Sequence, residues 1–510
     1  MKKRNTIFKT RRFIALSMLV IGTVLIGRCC FSAPGLTPED RKKDIDYLAQ
    51  WARDYSPLVA FNEKLKGLPS YEALKPQYVE WTEQAKDNTE YLQVVYSYAS
   101  LIGASGHFYI FNNKKKRLFF TPKSAYWHEL FYNHCIAHPP FLLSKRGNEY
   151  ITQTDFAIDH TPIPKGSKIL KVNGMTCQAY LEYLKHKTWI RFMSDSSAGL
   201  DLKLLRVLDR ELLLINEGKD FKGWNIDFLL PDQGLFRHFV PAEKGRTPLK
   251  TEFDDVAQGN CVCLALTEDV GYIRIKSFSL EHAEPDKKTI HAFLEPSTHR
   301  FSKLIIDVRD NSGGRTEYFY DNLMKPFLDQ PLSYQQVTGL KRKFISDNSQ
   351  ATIDGQRFTV SHWANETNIV EVPSPPEFDR QDWVFYKISR ELQPQDRTAF
   401  QGDIFILING QTASAADDFA NAVKRTGMAT LVGQNTYGSA AAYVAPVAVR
   451  LPRSGMMFIL EVDLVINPDG SINEMVGTPP DITLPSAEPL ETVTRQALLH
   501  DDWIQAIINK

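Results

Sequence analysis

Two short apolar runs, L-I-I-D-V at 304 to 308 and I-F-I-L-I at 404 to 408, constrain the fold of this chain more than any other feature. They do not alternate apolar with polar residues, so a strand built from either must be buried on both faces. That condition is met by a largely parallel sheet covered by helices, and the stretch from Cys261 onward supplies the pattern. The strand G-Y-I-R-I-K-S-F at 271 to 278 precedes the first run, and a helix is expected near Tyr318 to Leu328 between the two. An α/β core over 261–510 follows.

Upstream the texture differs. From Thr37 to about Leu101 apolar residues recur at helical spacing, with Thr37 a candidate cap ahead of Pro38-Glu39-Asp40, so 34–120 is expected to be a helical domain. The stretch 121–190 changes to short strands centred on I-P-K-G-S-K-I-L-K-V-N-G at 163 to 174, with Asn173-Gly174 as a turn and a helix over Gln178 to Leu184. The stretch 191–260 offers only a helical pattern near Asp201 to Glu217 and is taken as a spacer, and Val372 to Pro376 as an insertion loop. Before all of these, a flank with six Lys and Arg residues up to Arg12 leads into the uncharged run Phe13 to Gly27. Residues 1–33 therefore have the form of an export signal, or of an anchor if uncleaved, and the remainder is expected outside the cytoplasm, meeting the membrane only through this segment.

Lys plus Arg and Asp plus Glu both number 60, so no net field selects nucleic acid as a partner. Cys135, Cys177, Cys261 and Cys263 follow the leader and permit three disulfide connectivities, among which the sequence does not choose. The crowded stretch His128 to His138 lacks the His-Glu-x-x-His spacing of a helical zinc site, and neither a metal nor a cofactor is expected.

Chemistry is expected at two turns that follow the buried strands. In D-V-R-D-N-S-G-G at 307 to 314, Gly313 and Gly314 carry no Cβ, so their amides can approach a ligand. In I-N-G-Q-T-A-S-A-A-D-D-F at 408 to 419, Ser414 falls at the start of a helix expected to run to about Thr426, with Gly427 as its stop. A serine there is either a helix cap or a nucleophile. As a nucleophile it would need the Ala415 amide and one from Gly313 or Gly314 to receive the oxyanion.

These pieces, with A-T-L-V-G-Q-N-T-Y-G at 429 to 438 and E-M-V-G-T-P-P-D-I at 474 to 482, resemble the tail-specific or C-terminal-processing serine peptidases, including the tricorn core protease. The resemblance implies a crotonase or Clp-protease type of core and a PDZ-like domain at 121–190 that binds extended polypeptide segments by strand addition. It also bears on the base. The branch that uses lysine has it in a turn matching T-Y-G-S-A, where this chain has Ser439, while Lys424 and Arg425 lie too far along the nucleophile helix. The tricorn-like branch implies His107 as base and Glu474 as its partner. That branch has a relay serine just before the histidine, where Gly106 stands here, leaving Ser105 and Ser439 as candidate relays. An exported serine endopeptidase is the expected function. The alternatives are a carrier of apolar ligands on the same fold and an esterase.

Overall fold

The computed structural model describes residues 35–59, 69–102, 108–110, 122–135, 137–141, 143–146, 149–187, 221–231, 234–244, 259–295, 301–347, 351–353, 356–358, 382–396, 398, 400–438, 447–485 and 493–510. The leader segment 1–33 and the expected helix near Asp201 to Glu217 lie outside them. No helix among the described residues is long and apolar enough to cross a membrane.

The two apolar runs are adjacent central strands. Cys261–Ala265, Val270–Ile275, Lys303–Asp307, Asp403–Ile408, Thr430–Gly433 and Ile482–Thr483 form one sheet in that spatial order, antiparallel at the first pair and parallel thereafter. Alternation along each strand sends side chains to two different cores. Leu304, Ile306, Ile406 and Ile408 face Tyr318, Phe319, Phe419 and Val423, whereas Ile305, Phe405 and Leu407 face Leu498, Trp503 and Ile504. Each fully buried side chain of this kind contributes about 1.5–3 kcal/mol, so neither helical layer can be stripped without a large loss. The helix expected near Tyr318 to Leu328 is an irregular helical stretch, with α-helical Thr316–Phe319 running into π-helical Tyr320–Met324 and then a 3₁₀ turn.

A second sheet, Trp383–Leu392, Leu332–Lys341 and Asp463–Ile466, is antiparallel and lies beyond the sequence reading. The N-terminal helices Pro38–Tyr55, Tyr71–Gln84 and Asn88–Ile102 do exist, and Thr37 caps the first in a reciprocal capping box with Asp40. Their core is shared, because Ile45, Tyr91 and Tyr98 belong to the same buried cluster as Leu340, Val384 and Phe458. In the β-rich part, Gly223–Leu230 and Gly234–Pro241 join Lys168–Val172 in one sheet, so strands from the presumed spacer complete that unit.

One buried carboxylate fastens the helices to the rest. Asp44 is fully buried and accepts hydrogen bonds from the Tyr91 hydroxyl at 2.8 Å and from the Arg453 and Ser454 amides, both at 2.9 Å. Asp44→Ala would leave three donors unsatisfied at about 1–3 kcal/mol each. The expected outcome is a markedly lower thermal unfolding midpoint, and an unchanged midpoint would show that water replaces the carboxylate.

Candidate active site

Strands Lys303–Asp307 and Asp403–Ile408 run side by side in parallel, so the turns that follow them emerge together at one edge of the sheet. Such edges, beyond the carboxyl ends of parallel strands, are where α/β folds place their ligands. In the second turn Ser414 precedes the helix Ala415–Thr426, yet its side chain makes no capping hydrogen bond. Its backbone stands at φ 54°, ψ −125°, a region that non-glycine residues avoid. This is the strained strand-to-helix corner that lifts a serine hydroxyl clear of its own helix. The Ser414 amide donates to the Gly438 carbonyl at 3.3 Å and the Asp418 amide to the Ser414 carbonyl at 2.8 Å, which hold the corner from both sides.

Gly313 lies against this corner. At φ +100°, an added Cβ would fall 2.7 Å from Ser414 Cβ, 2.7 Å from the Ala413 carbonyl oxygen and 2.8 Å from the Ala415 nitrogen. The Gly313 amide is engaged, donating to Asn311 Oδ1 at 2.8 Å, and its carbonyl accepts from Phe278 at 2.9 Å. The amides of Gly314 and Ala415 have no acceptor among the described residues. Thus Gly313 provides the close approach, and its neighbours on either turn provide the open donors. The helix dipole adds positive potential at Ala415.

Fully buried Asp307 ends the first strand. It is held by Tyr272 Oη at 2.7 Å, Arg274 Nη1 at 3.2 Å and Arg309 Nη2 at 2.7 Å. Burial alone would raise its pKa, but the charges of Arg309 and Arg274 outweigh that and hold it down at about 2. Arg309 also reaches Asp501, at the start of the C-terminal helix, at 2.7 Å.

The helix Ala415–Thr426 carries two buried acids of opposite character to Asp307. Burial pushes Asp417 up to about 6, against hydrogen bonds from Thr436 and Thr478. Asp418 is pushed up to about 7, again by burial, with Arg390 opposing and Asp417 adding to the shift. The Thr436 hydroxyl donates to Asp417 Oδ1, as does the Thr478 hydroxyl at 2.7 Å, while Asn473 Nδ2 donates to Thr478 Oγ1 at 3.1 Å. This network ties the Ser414 helix to the turn that bears Glu474.

Glu474 is buried, and both its carboxylate oxygens lie within hydrogen-bond reach of the Val465 amide, at 3.0 and 3.1 Å. Lys424 is drawn away to Asp481 and the Pro480 carbonyl, and Arg425 to Asn421 and the Ile466 carbonyl. Thus Ser414, Ala415, Gly313 and Gly314 meet, and the Glu474 turn joins them through Asp417. His107, Ser105, Gly106 and Ser439 lie outside the described residues. Asp417 and Asn311 lie inside the two turn motifs, and local sequence assigns them no task. The only signal for them was a carboxylate three places beyond Ser414 and an amide two places before Gly313.

Cys261 and Cys263 are free thiols 3.7 Å apart on the edge strand of the central sheet, while Cys135 and Cys177 are buried in separate cores.

A parallel sheet with a strained serine corner set against a glycine turn defines a serine-type hydrolase of α/β fold. The model of one particular family, Peptidase family S41, matches residues 269–484, and this part of the chain is a serine-type peptidase domain. Among solved structures, mature CPAF complexed with lactacystin aligns at 18% identity over 88% of this chain and 94% of its own, with a TM-score of 0.54. Mature CPAF gives 0.54 at 17% identity, over 88% and 93%. The photosystem II D1 C-terminal processing protease gives 0.38 at 14% identity, over 88% and 94%. No curated protein matches the chain.

Gly313→Ala should push the two turns apart, since no flexible side chain is there to yield. Peptide hydrolysis is expected to fall by about 10²-fold or more, and wild-type hydrolysis by this variant would contradict the close approach. The buried acids predict a pH dependence. An acid whose folded pKa lies above its unfolded value, 3.8 for Asp, keeps its proton longer when folded, so stability declines as pH rises from about 4 to about 7 and is level above that. Asp418→Asn should flatten this decline in denaturant titrations at pH 4.5 and 7.5, and an equal decline in the variant would place its origin elsewhere.

Proposed function

We propose that the chain is an exported serine endopeptidase in which Ser414 forms the acyl-enzyme, His107 is the general base and Glu474 orients the imidazole. The observation that carries this reading is the Ser414 corner. Backbone strain is retained there, and the hydroxyl is not used as a helix cap.

In the proposed reaction, Ser414 Oγ attacks the scissile carbonyl as the His107 imidazole takes its proton. The Ala415 and Gly314 amides then donate to the oxyanion, with Gly313 admitting the second turn to contact. The imidazolium returns the proton to the leaving amine, and water hydrolyses the ester by the reverse path. Support for His107 comes from its neighbour. Phe108 is buried against Phe458, and Tyr109 pairs with Ile459 on the strand that leads toward Asp463–Ile466. Glu474 bonds to that last strand at Val465.

The N-terminal basic and apolar stretch supports export, and the β-rich unit, read as PDZ-like, would hold an extended polypeptide by strand addition. Ser105 and Ser439 remain the candidate relays between Glu474 and His107.

A fluorophosphonate should label wild type but not Ser414→Ala, and an unlabelled wild type would point to a carrier instead. Peptide hydrolysis should drop by about four orders of magnitude in Ser414→Ala and in His107→Ala. In wild type, kcat/KM should fall below about pH 6.5 as the imidazole takes up its proton. Turnover of simple esters with peptides left intact would favour an esterase.

A further inference from the structure

The turns bearing Gly314 and Ser414 are fastened to each other by a reciprocal side-chain clasp one step removed from the reacting atoms. The Asp310 amide donates to Asn409 Oδ1 at 3.0 Å, and Asn409 Nδ2 donates back to Asp310 Oδ1 at 2.8 Å. Gln411 Nε2 adds a third bond to the same carboxylate oxygen at 3.0 Å, and Arg274 Nη2 lies 3.4 Å from Asp310 Oδ2. Asn409 Oδ1 also accepts from the Gln411 amide at 3.1 Å, so it organises its own turn while gripping the other.

Asp310 stands at φ +63°, a conformation that costs energy for any residue with a Cβ and is met best by Asn and Asp. Such strain persists only where surrounding bonds over-determine it. The next residue continues the link, since the Asn311 carbonyl accepts from the Ala413 amide at 3.0 Å while Asn311 Oδ1 takes the Gly313 amide. The two turns are thus bonded to each other at Asp310–Asn409 and again at Asn311–Ala413, so the separation of Asp310 from Asn409 bears on the separation of Gly314 from Ser414.

We propose that Asp310 and Asn409 are positioning residues of the peptidase centre, setting the register between the two turns and thereby the rate of acylation rather than the binding of substrate. This rests on the reading of Ser414 as nucleophile. Their contacts are geometric, so a charge-conserving exchange of the two side chains should preserve them. With Asp310→Asn and Asn409→Asp combined, the carboxylate at 409 accepts both the position-310 amide and the side-chain amide opposite, and Gln411 turns its own amide over. Asn409→Asp alone sets two carboxylates face to face and removes the returning donor.

The test titrates the full chain with a fluorophosphonate and separates the maximal inactivation rate from the half-saturating concentration, alongside thermal unfolding. Asn409→Asp is expected to lose about 10²-fold in the maximal rate with little change in half-saturation, and the exchanged pair to recover most of that loss. A folded Asn409→Asp that reacts at the wild-type rate overturns the proposal, as does an exchanged pair that folds but stays as slow as the single variant. Should Asn409→Asp not fold, Asp310→Gly carries the question, because glycine accepts the positive φ and keeps the backbone amide bond to Asn409 while the bonds to the carboxylate are lost. Slow labelling of that variant supports positioning, and wild-type labelling overturns it. A wild type that takes no label overturns the reading of Ser414 itself, independently of any variant.

Discussion

The buried carboxylate of Asp307 is the constraint on which the edge bearing the Gly313 and Ser414 turns depends. A lone ionised acid at that depth would be far too costly, and it is stable only because Arg274, Arg309 and Tyr272 converge on it from three directions. The three partners come from two pieces of the fold. Arg274 and Tyr272 come from the neighbouring strand, Arg309 from the following turn, and Arg309 in turn holds Asp501 of the C-terminal helix. Neutralising one charge thus fixes the point from which the turn 308–314 departs.

From that point the arrangement narrows to contacts that leave little freedom. Gly313 touches the Ser414 corner where no Cβ fits, and Asp310 with Asn409 sets how the turns are spaced. Asp417 works on the far side, through Thr436 and Thr478, and draws the Glu474 turn toward the same helix. Three of the buried acids are thereby divided, Asp307 held ionised by guanidiniums and Asp417 and Asp418 raised in pKa by burial. Rigid support of this kind suits chemistry that depends on orientation.

The central sheet was legible because Leu304 to Val308 and Ile404 to Ile408 are apolar on both faces, a property that local sequence states directly. Ser414 and the glycine turn were legible because strand, turn and helix signals coincide around them. The sheet of Leu332–Lys341, Trp383–Leu392 and Asp463–Ile466 was not, since its strands are up to 134 positions apart and mix polar residues such as Gln336 and Thr338 into their buried face. Gly223–Leu230 is illegible for a similar reason, its register with Lys168–Val172 being set by pairing across some 60 residues. Asp310 and Asn409 each look like ordinary turn residues, and only their meeting gives them a task.

The bond from Asp44 to Arg453 and Ser454 spans about four-fifths of the chain, and that from Arg309 to Asp501 closes the other end. During synthesis the N-terminal helices must therefore wait, with part of their apolar surface uncovered, for strands made much later. The nascent chain cannot assemble a working centre piecemeal. The turn that carries Arg309 gains its last anchor only once Asp501 has been made, so a fragment that includes Ser414 but stops short of Asp501 would hold that turn less firmly.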